Sequence, residues 1–403
     1  VQLHWGGQAS LDSIQLPHNV AISNIRSDGL DTGTVVYISG AYDVRVDGVD
    51  ATAPDNVAIV TCGDYGDDHV ASGYSGRLGL GISFKNVTGK ACKHAGIGID
   101  GYTQFALTIS AVTATGTNAS AALTGVSDTS DLHVGRTIDL YEGVTSRGQF
   151  QIIGISGTTV TLDNPVTGLS VSPTTVTLKG GSWDCPVEIS DSNLECDNTA
   201  SNLTPIYMQS VTGVVIQNCD IHGGFTHAIS ASGDYVQQVK VLNNRIYDNR
   251  QCGINENRAG KASDWMIDGN SIYRCNTSGN SDRTNASGIY VTSSRHTIRG
   301  NKIGQLANET TYYGIALNST CVGVRLIGND VLGLDSSIAA YAAFKNGHGS
   351  LVAYGLRTLQ VGNHVTAGLT AIAATTTPML TKISLNPVGA EIVEFHASAA
   401  PTT

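Results

Sequence analysis

Five segments superpose without a gap: VVIQNCDIHG (214–223), VKVLNNRIYD (239–248), WMIDGNSIYR (265–274), HTIRGNKIGQ (296–305) and VRLIGNDVLG (324–333). With Ile221, Ile246, Ile272, Ile303 and Val331 as an anchor column, the residue five positions earlier is Ile216, Val241, Ile267, Ile298 or Leu326. The earlier chain extends both columns, since anchors Ile25, Val49, Val87 and Leu194 are preceded at the same offset by Val20, Val44, Ile82 and Ile189. Two residues before the anchor, Asn244, Asn270, Asn301 and Asn329 recur. A short amide at a fixed turn position predicts hydrogen bonds to the backbone of a stacked neighbour.

From Leu194 to Val331 the anchors lie 27, 25, 26, 31 and 28 residues apart, and the variation falls after the anchor. Insertions therefore enter at one corner. A second apolar pair follows in each unit: Ile206/Met208, Ile229/Ala231, Ile254/Glu256, Ile289/Val291 and Ile315/Leu317, with Glu256 as the exception to the apolar rule. These pairs alternate with period two, as short strands with one inward face do. A unit of roughly 25 residues made of short strands and turns cannot bury that face alone, so it must stack on its neighbours. The expected fold is all-β: a right-handed parallel β-helix, a solenoid of about ten coils. Leucine-rich repeats would need a leucine frame and a helical segment per repeat, and neither is visible.

Composition agrees. The chain has 403 residues with 47 Gly, 6% aromatic and 14% charged residues, a turn-dense profile unlike that of a helical enzyme. No stretch approaches 18 apolar residues, which argues against membrane insertion. The amino end has neither a basic region nor an apolar run of signal-peptide length, so any leader is expected to have been removed. A net charge of −10 without a Lys/Arg cluster argues against nucleic acid. The eight cysteines, at 62, 92, 185, 196, 219, 252, 275 and 321, show no C-x-x-C spacing, so reduced, buried thiols are expected.

Two regions break the pattern. Residues 102–180 alternate strands with Gly-rich turns and read as a small inserted β-domain between N-terminal coils (1–101) and central coils (181–335). Residues 336–403 hold one more coil, LQVGNHV around Val365, and an Ala/Thr-rich segment expected to be an oligomerisation interface.

The coil repeat from Val20 to Leu332 resembles the pectate-lyase-like superfamily of β-helices, and within it the bacteriophage tailspike polysaccharide depolymerases. The resemblance implies a homotrimer, located on a virion tail or extracellular, that binds and cleaves a bacterial surface or extracellular polysaccharide. Endo-glycoside hydrolysis is favoured; a polysaccharide lyase or a non-catalytic adhesin or tail-fibre segment is the alternative, because the fold alone does not fix the activity. Members of the superfamily usually open with a capping helix. This chain starts in coil-like sequence, so an end open to solvent is expected to be covered by something else.

The resemblance also implies a cleft over the outer face of the second apolar strand, walled by the long turns before it. Outward positions there are Tyr207 and Gln209, Ser230 and Ser232, Asn255 and Asn257, Tyr290 and Thr292, Ala316 and Asn318. Rings interleaved with amides suit sugar faces and hydroxyls. The turns add His227, Arg250, Arg258 and Tyr313, so that Tyr207, His227, Arg250, Asn255, Arg258 and Tyr313 are the candidate substrate-binding residues.

The segment DNRQCGINENRAGK places Asp248, Arg250, Glu256 and Arg258 in one coil. Glu256 falls where other coils carry interior apolar residues, and a carboxylate there must be paired or carry a raised pKa, as a general acid does. It is a catalytic candidate, with Asp248 and Asp282 as partner carboxylates, because glycoside hydrolysis needs two. The alternative is an ion pair of Glu256 with Arg250 or Arg258, or a strand that ends early. A lyase would instead draw on Tyr290, His227, Arg250 and Arg258. No cofactor is expected; the acidic loop with Asp64, Asp67 and Asp68 could hold a structural calcium ion, although its spacing is not that of an EF-hand. GIGIDG (96–101) matches a dinucleotide fingerprint, but no amphipathic helix follows it.

Overall fold

The computed structural model describes residues 2–4, 18–28, 33–39, 41–61, 81–100, 112–129, 132, 137–179, 183–184, 186–197, 204–209, 211–231, 236–257, 262–279, 285–304, 310–311, 313–318, 321, 323–332, 342–346, 359–361 and 364–365. Asp64, Asp67, Asp68, Arg258, Asp282 and residues 366–403 lie outside the described residues. Among the described residues there is no helix, and the chain is a right-handed parallel β-helix.

Ten strands stack in parallel as sheet A, including Thr34–Ser39, Asn56–Thr61, Ala95–Asp100, Ile206–Gln209, Ile229–Ala231, Ile254–Glu256, Ser287–Val291 and Tyr313–Leu317. Their alternation sends Ile97 and Ile99, Ile206 and Met208, Ile289 and Val291, and Ile315 and Leu317 into one continuous core, where each is at most 3% exposed. The second apolar pair of each unit stacks in register as expected, Ile206 on Ile229, Ile229 on Ile254 and Ile254 on Ile289.

Sheet B is bent. In the early coils one 11-residue strand runs through the bend, as in His18–Asp28, Tyr42–Thr52 and Ile82–Cys92. Later coils break it into two short strands, such as Asp220–His222 after Val215–Gln217 and Arg245–Tyr247 after Lys240–Leu242. The bend is a single left-handed residue per coil: Asn24, Gly48, Asn86, Asp191, Asn218, Asn243, Gly269, Gly300 and Gly328, all with φ between 50° and 75°. Only Gly, Asn and Asp take that conformation at little cost, which is why no other residue type fills this column.

Inside the bend runs the amide ladder that the repeat predicted. Asn270 Oδ1 accepts from the backbone N–H of Asn244 at 2.9 Å and from its Nδ2 at 3.0 Å, while Asn270 Nδ2 donates to Val241 O at 2.8 Å and to Asn301 Oδ1 at 2.9 Å. Asn301 and Asn329 repeat the pattern, and all four amides are at most 1% exposed. Cys219 and Ser192 continue the column in the preceding coils, with Ser192 Oγ accepting from Val87 N at 3.1 Å.

The nine anchors do not form one register. Ile25 pairs with Val49 and Val49 with Val87, and Leu194 pairs with Ile221, but Leu194 pairs across the insertion with Gly89 rather than Val87. The slip is two residues, so every side chain keeps its face and the alternation does not betray it. Gly89 has to be glycine there: a Cβ would lie 2.5 Å from Val57 Cγ2.

The interrupting segment forms a six-stranded antiparallel sheet, bounded by Val112–Gly116 and Thr174–Lys179. It encloses its own apolar cluster, with Leu123, Ile138, Leu140, Ile152 and Val160 at 0% exposure. In the carboxyl-terminal part Leu359–Val361 pairs with Arg325–Ile327 and His364–Val365 with Asp330–Leu332.

Candidate functional site

The outer face of sheet A presents one column of side chains in register: Tyr37, Ile59, Gly98, Tyr207, Ser230, Asn255, Tyr290 and Ala316. Its two halves differ. Tyr37, Ile59 and Tyr207 are partly exposed. The Tyr207 ring lies over Gly98, so close that a Cβ there would fall 2.3 Å from its Cζ. Gly96 and Gly98 of GIGIDG are thus accounted for by close packing within the strand Ala95–Asp100, where a Cβ on Gly96 would fall 2.7 Å from Pro205 O.

The other half is covered, contrary to the expectation of an open cleft along its whole length. Asn255 is 2% exposed, Tyr290 1% and Ala316 0%. Tyr290 packs with Cys252, Ala286, Tyr313 and Ala316 in an apolar cluster, and its hydroxyl accepts from Asn318 Nδ2 at 2.8 Å. Tyr290 and Tyr313, separate candidates in the sequence, are therefore brought together, but with each other rather than with solvent.

Glu256 is interior, as its column predicts, and fully buried. Arg250 lies over the Phe225 ring instead, and Arg258 lies outside the described residues. Oε2 accepts from the backbone N–H groups of Thr292 at 2.9 Å and Ser293 at 2.8 Å, and Oε1 accepts from Ser293 Oγ at 3.1 Å. The Thr292 hydroxyl sits between Glu256 O at 3.0 Å and Oε1 at 3.2 Å. His296 Nδ1 accepts from Trp265 N at 3.1 Å, so its proton is on Nε2, which lies 3.3 Å from Oε2 but without hydrogen-bond geometry. A carboxylate so held ties one coil's strand end to the next coil's turn. A glycosidic oxygen on the outer face would have the strand itself between it and Glu256.

The turns before sheet A stack on one another. Asp248, in left-handed conformation at the start of its turn, receives Arg274 Nε and Nη2 at 2.6 Å each, a two-pronged charge-assisted contact from the next coil. Its side chain is 41% exposed. The Arg250 guanidinium lies 4.0 Å from the ring centre of Phe225. His227 Nδ1 accepts from Cys252 N at 3.2 Å, and burial pushes its pKa down to about 3, so the ring is neutral and already engaged. A neutral, acceptor-bound His227 is a poor counter-charge for a uronate.

A feature that the candidate set missed lies on the exposed side of the second strands of sheet B. His222 stacks on Tyr247 with 4.6 Å between ring centres, and Tyr247 on Tyr273 at 5.2 Å. Arg245 lies 4.8 Å over Tyr247, donates to its hydroxyl at 3.2 Å, and pairs with Asp220 at 2.6 Å. The signal was in the repeat itself, because these rings are the anchor-plus-one residues of DIHG, RIYD and SIYR.

The described cysteines, Cys92, Cys196, Cys219, Cys252, Cys275 and Cys321, are buried free thiols. Burial pushes the Cys219 thiol up to about 12, which makes it inert at neutral pH. Among the described residues no group of three or more His, Cys, Asp or Glu side chains is placed to hold a metal ion.

A family model described as a right handed beta helix region matches residues 176–342. No curated protein sequence matches the chain. Among solved structures, the full-length tailspike protein 2 from Escherichia coli O157:H7 bacteriophage CAB120 is similar at 10% identity and a TM-score of 0.42, over 91% of this chain and 38% of that one. This chain thus spans less than half the length of that tailspike. The DFA-IIIase from Arthrobacter chlorophenolicus A6 is similar at 12% identity and a TM-score of 0.43, over 92% of this chain and 71% of that one. The gp49 tailspike of Pseudomonas phage LKA1 is similar at 12% identity and a TM-score of 0.37, over 92% and 72%.

Proposed function

We propose that this chain binds and cleaves a bacterial surface or extracellular polysaccharide laid across the outer face of sheet A, by endo-glycoside hydrolysis. The observation that supports the reading is the column Tyr37, Ile59 and Tyr207, each partly exposed, with Gly98 buried beneath the Tyr207 ring. An aromatic ring laid over a glycine offers an apolar surface for the C–H face of a pyranose. Gln209, the next outward residue after Tyr207, supplies an amide that can both donate to and accept from hydroxyls.

The carboxylates we propose for the chemistry are Asp248 and Asp282, from successive turns. Hydrolysis needs two such groups about 5 to 9 Å apart. Both Asp248 oxygens already accept from Arg274, so its role in the pair is that of nucleophile or base. Glu256 is assigned to holding the fold. In the same reading residues 102–180 are a separate domain, residues 336–403 build a homotrimer, and the protein acts on a virion tail or outside the cell.

A second reading, glycan binding without cleavage, draws on the saturation of Glu256 and Asp248 by neighbouring donors. Incubation of the chain with bacterial capsules and lipopolysaccharides separates the readings. New reducing ends alone mean hydrolysis, and reducing ends with the ultraviolet absorbance of an unsaturated uronate mean a lyase. Retention of a polysaccharide with neither signal means binding only.

A further inference from the structure

A second polar groove lies at the bend of sheet B, away from the sheet A column: an open cavity of about 620 Å3. One wall is the left-handed corner column from Asn86 to Asn243. The other is the outward column beside it, Thr88, Asn193, Asp220 and Arg245. Two residues further along the same strands, beyond the lining, His222 stacks on Tyr247.

We propose that this corner groove is a second glycan-binding subsite, which holds a neutral stretch of the polymer without cleaving it. The chemistry of the lining carries the proposal. Amides of Asn86, Asn193, Asn218 and Asn243 and the hydroxyl of Thr88 each donate and accept, as a run of sugar hydroxyls requires. The charges cancel locally: Asp220 pairs with Arg245 at 2.6 Å, and Asp191 lies 3.7 Å from Lys85. A polyanion would find no surplus cation here, whereas a neutral saccharide meets polar groups that need no counter-charge. Four coils contribute, and adjacent strands are roughly 4.8 Å apart, so the lining repeats at a nearly constant step along the groove. A corner residue in left-handed conformation points its short side chain outward, which is how one backbone device supplies both the bend and the amides.

The choice of glycan as ligand rests on the function proposed above, and the two fail in different ways. The whole chain is applied to an array of neutral and uronate-containing bacterial oligosaccharides and assayed separately for polymer cleavage. Two variants alter the groove: Asn193→Trp fills it from an exposed strand position, and Asn218→Gly removes an amide while keeping a residue that other coils use at the same corner (Gly269, Gly300, Gly328). Tyr207→Ala alters the sheet A face instead. The expected result is a tenfold or greater loss of neutral-glycan retention in Asn193→Trp, a smaller loss in Asn218→Gly, and turnover of short oligosaccharides within twofold of the unmodified chain in both. Polymer affinity should fall further than oligosaccharide affinity, since two sites on one chain act together. Tyr207→Ala should lower turnover and leave groove-dependent retention in place. Unchanged retention in both groove variants, with cleavage intact, overturns the second subsite alone. An unmodified chain that neither retains nor cleaves any glycan overturns both.

Discussion

Replacing Glu256 separates an interior strut from an acid–base catalyst. In Glu256→Gln the amide oxygen can take the place of Oε2 and keep the N–H groups of Thr292 and Ser293. The amide nitrogen then faces two hydroxyls, which can rotate to accept. What is lost is the charge assistance, about 1–2 kcal/mol. Glu256→Ala leaves those two backbone donors buried without partners, at about 1–3 kcal/mol each, so the expected loss is about 2–6 kcal/mol plus the cavity. Urea denaturation followed by circular dichroism, beside the exposed-site reference Asn193→Ala, measures the difference. Turnover on a cleaved polysaccharide should stay within a few-fold in the Gln variant. A Glu256→Gln protein of unchanged stability whose turnover falls by a hundredfold or more would overturn the argument and return Glu256 to acid–base chemistry, where proton transfer contributes roughly 10² to 10⁴.

Asn270→Ala removes four hydrogen bonds from the middle of the amide ladder and leaves Asn244 N without its acceptor; a loss of about 3–6 kcal/mol is expected in the same assay. His227 has a folded-state pKa near 3, below the unfolded value near 6.5, so its contribution is fully present above about pH 6.5 and is lost as pH falls toward 3. His227→Asn keeps an acceptor for Cys252 N without titrating, and should flatten the fall in melting temperature between pH 7 and pH 4; an unaltered slope refutes that assignment. Gly98→Ala places a methyl where the Tyr207 ring lies and should lift the ring, reducing saccharide retention severalfold while circular dichroism stays β-dominated.

The solenoid was legible because its cause is periodic: interior columns recur at fixed offsets, and the ladder amides sit at one position relative to the anchor. The two-residue slip between Val87 and Leu194 was not, since an even shift preserves the alternation that pattern reading detects. Interior placement of Glu256 was readable from its column, whereas its partners were not. Thr292, Ser293 and His296 come from the next coil, across a turn of variable length. Burial of Tyr290 and Tyr313 escaped for a similar reason. Outward alternation says which face a ring is on, but not what lies over it. The His222–Tyr247–Tyr273 stack is readable as an anchor-plus-one column, but recurrence alone does not tell a ring stack from an ordinary outward face.

The in-register parallel stacking of sheet A has a mechanical consequence. Every inter-strand hydrogen bond in such a stack points along the direction in which coils are added. Tension in that direction would load each ladder head-on and peel coils one at a time from an end, since each contacts only its neighbours. Compression is resisted by the close-packed interior columns of Ile and Val, which have almost no free volume to yield. A rod of this construction is stiffer when pushed than when pulled.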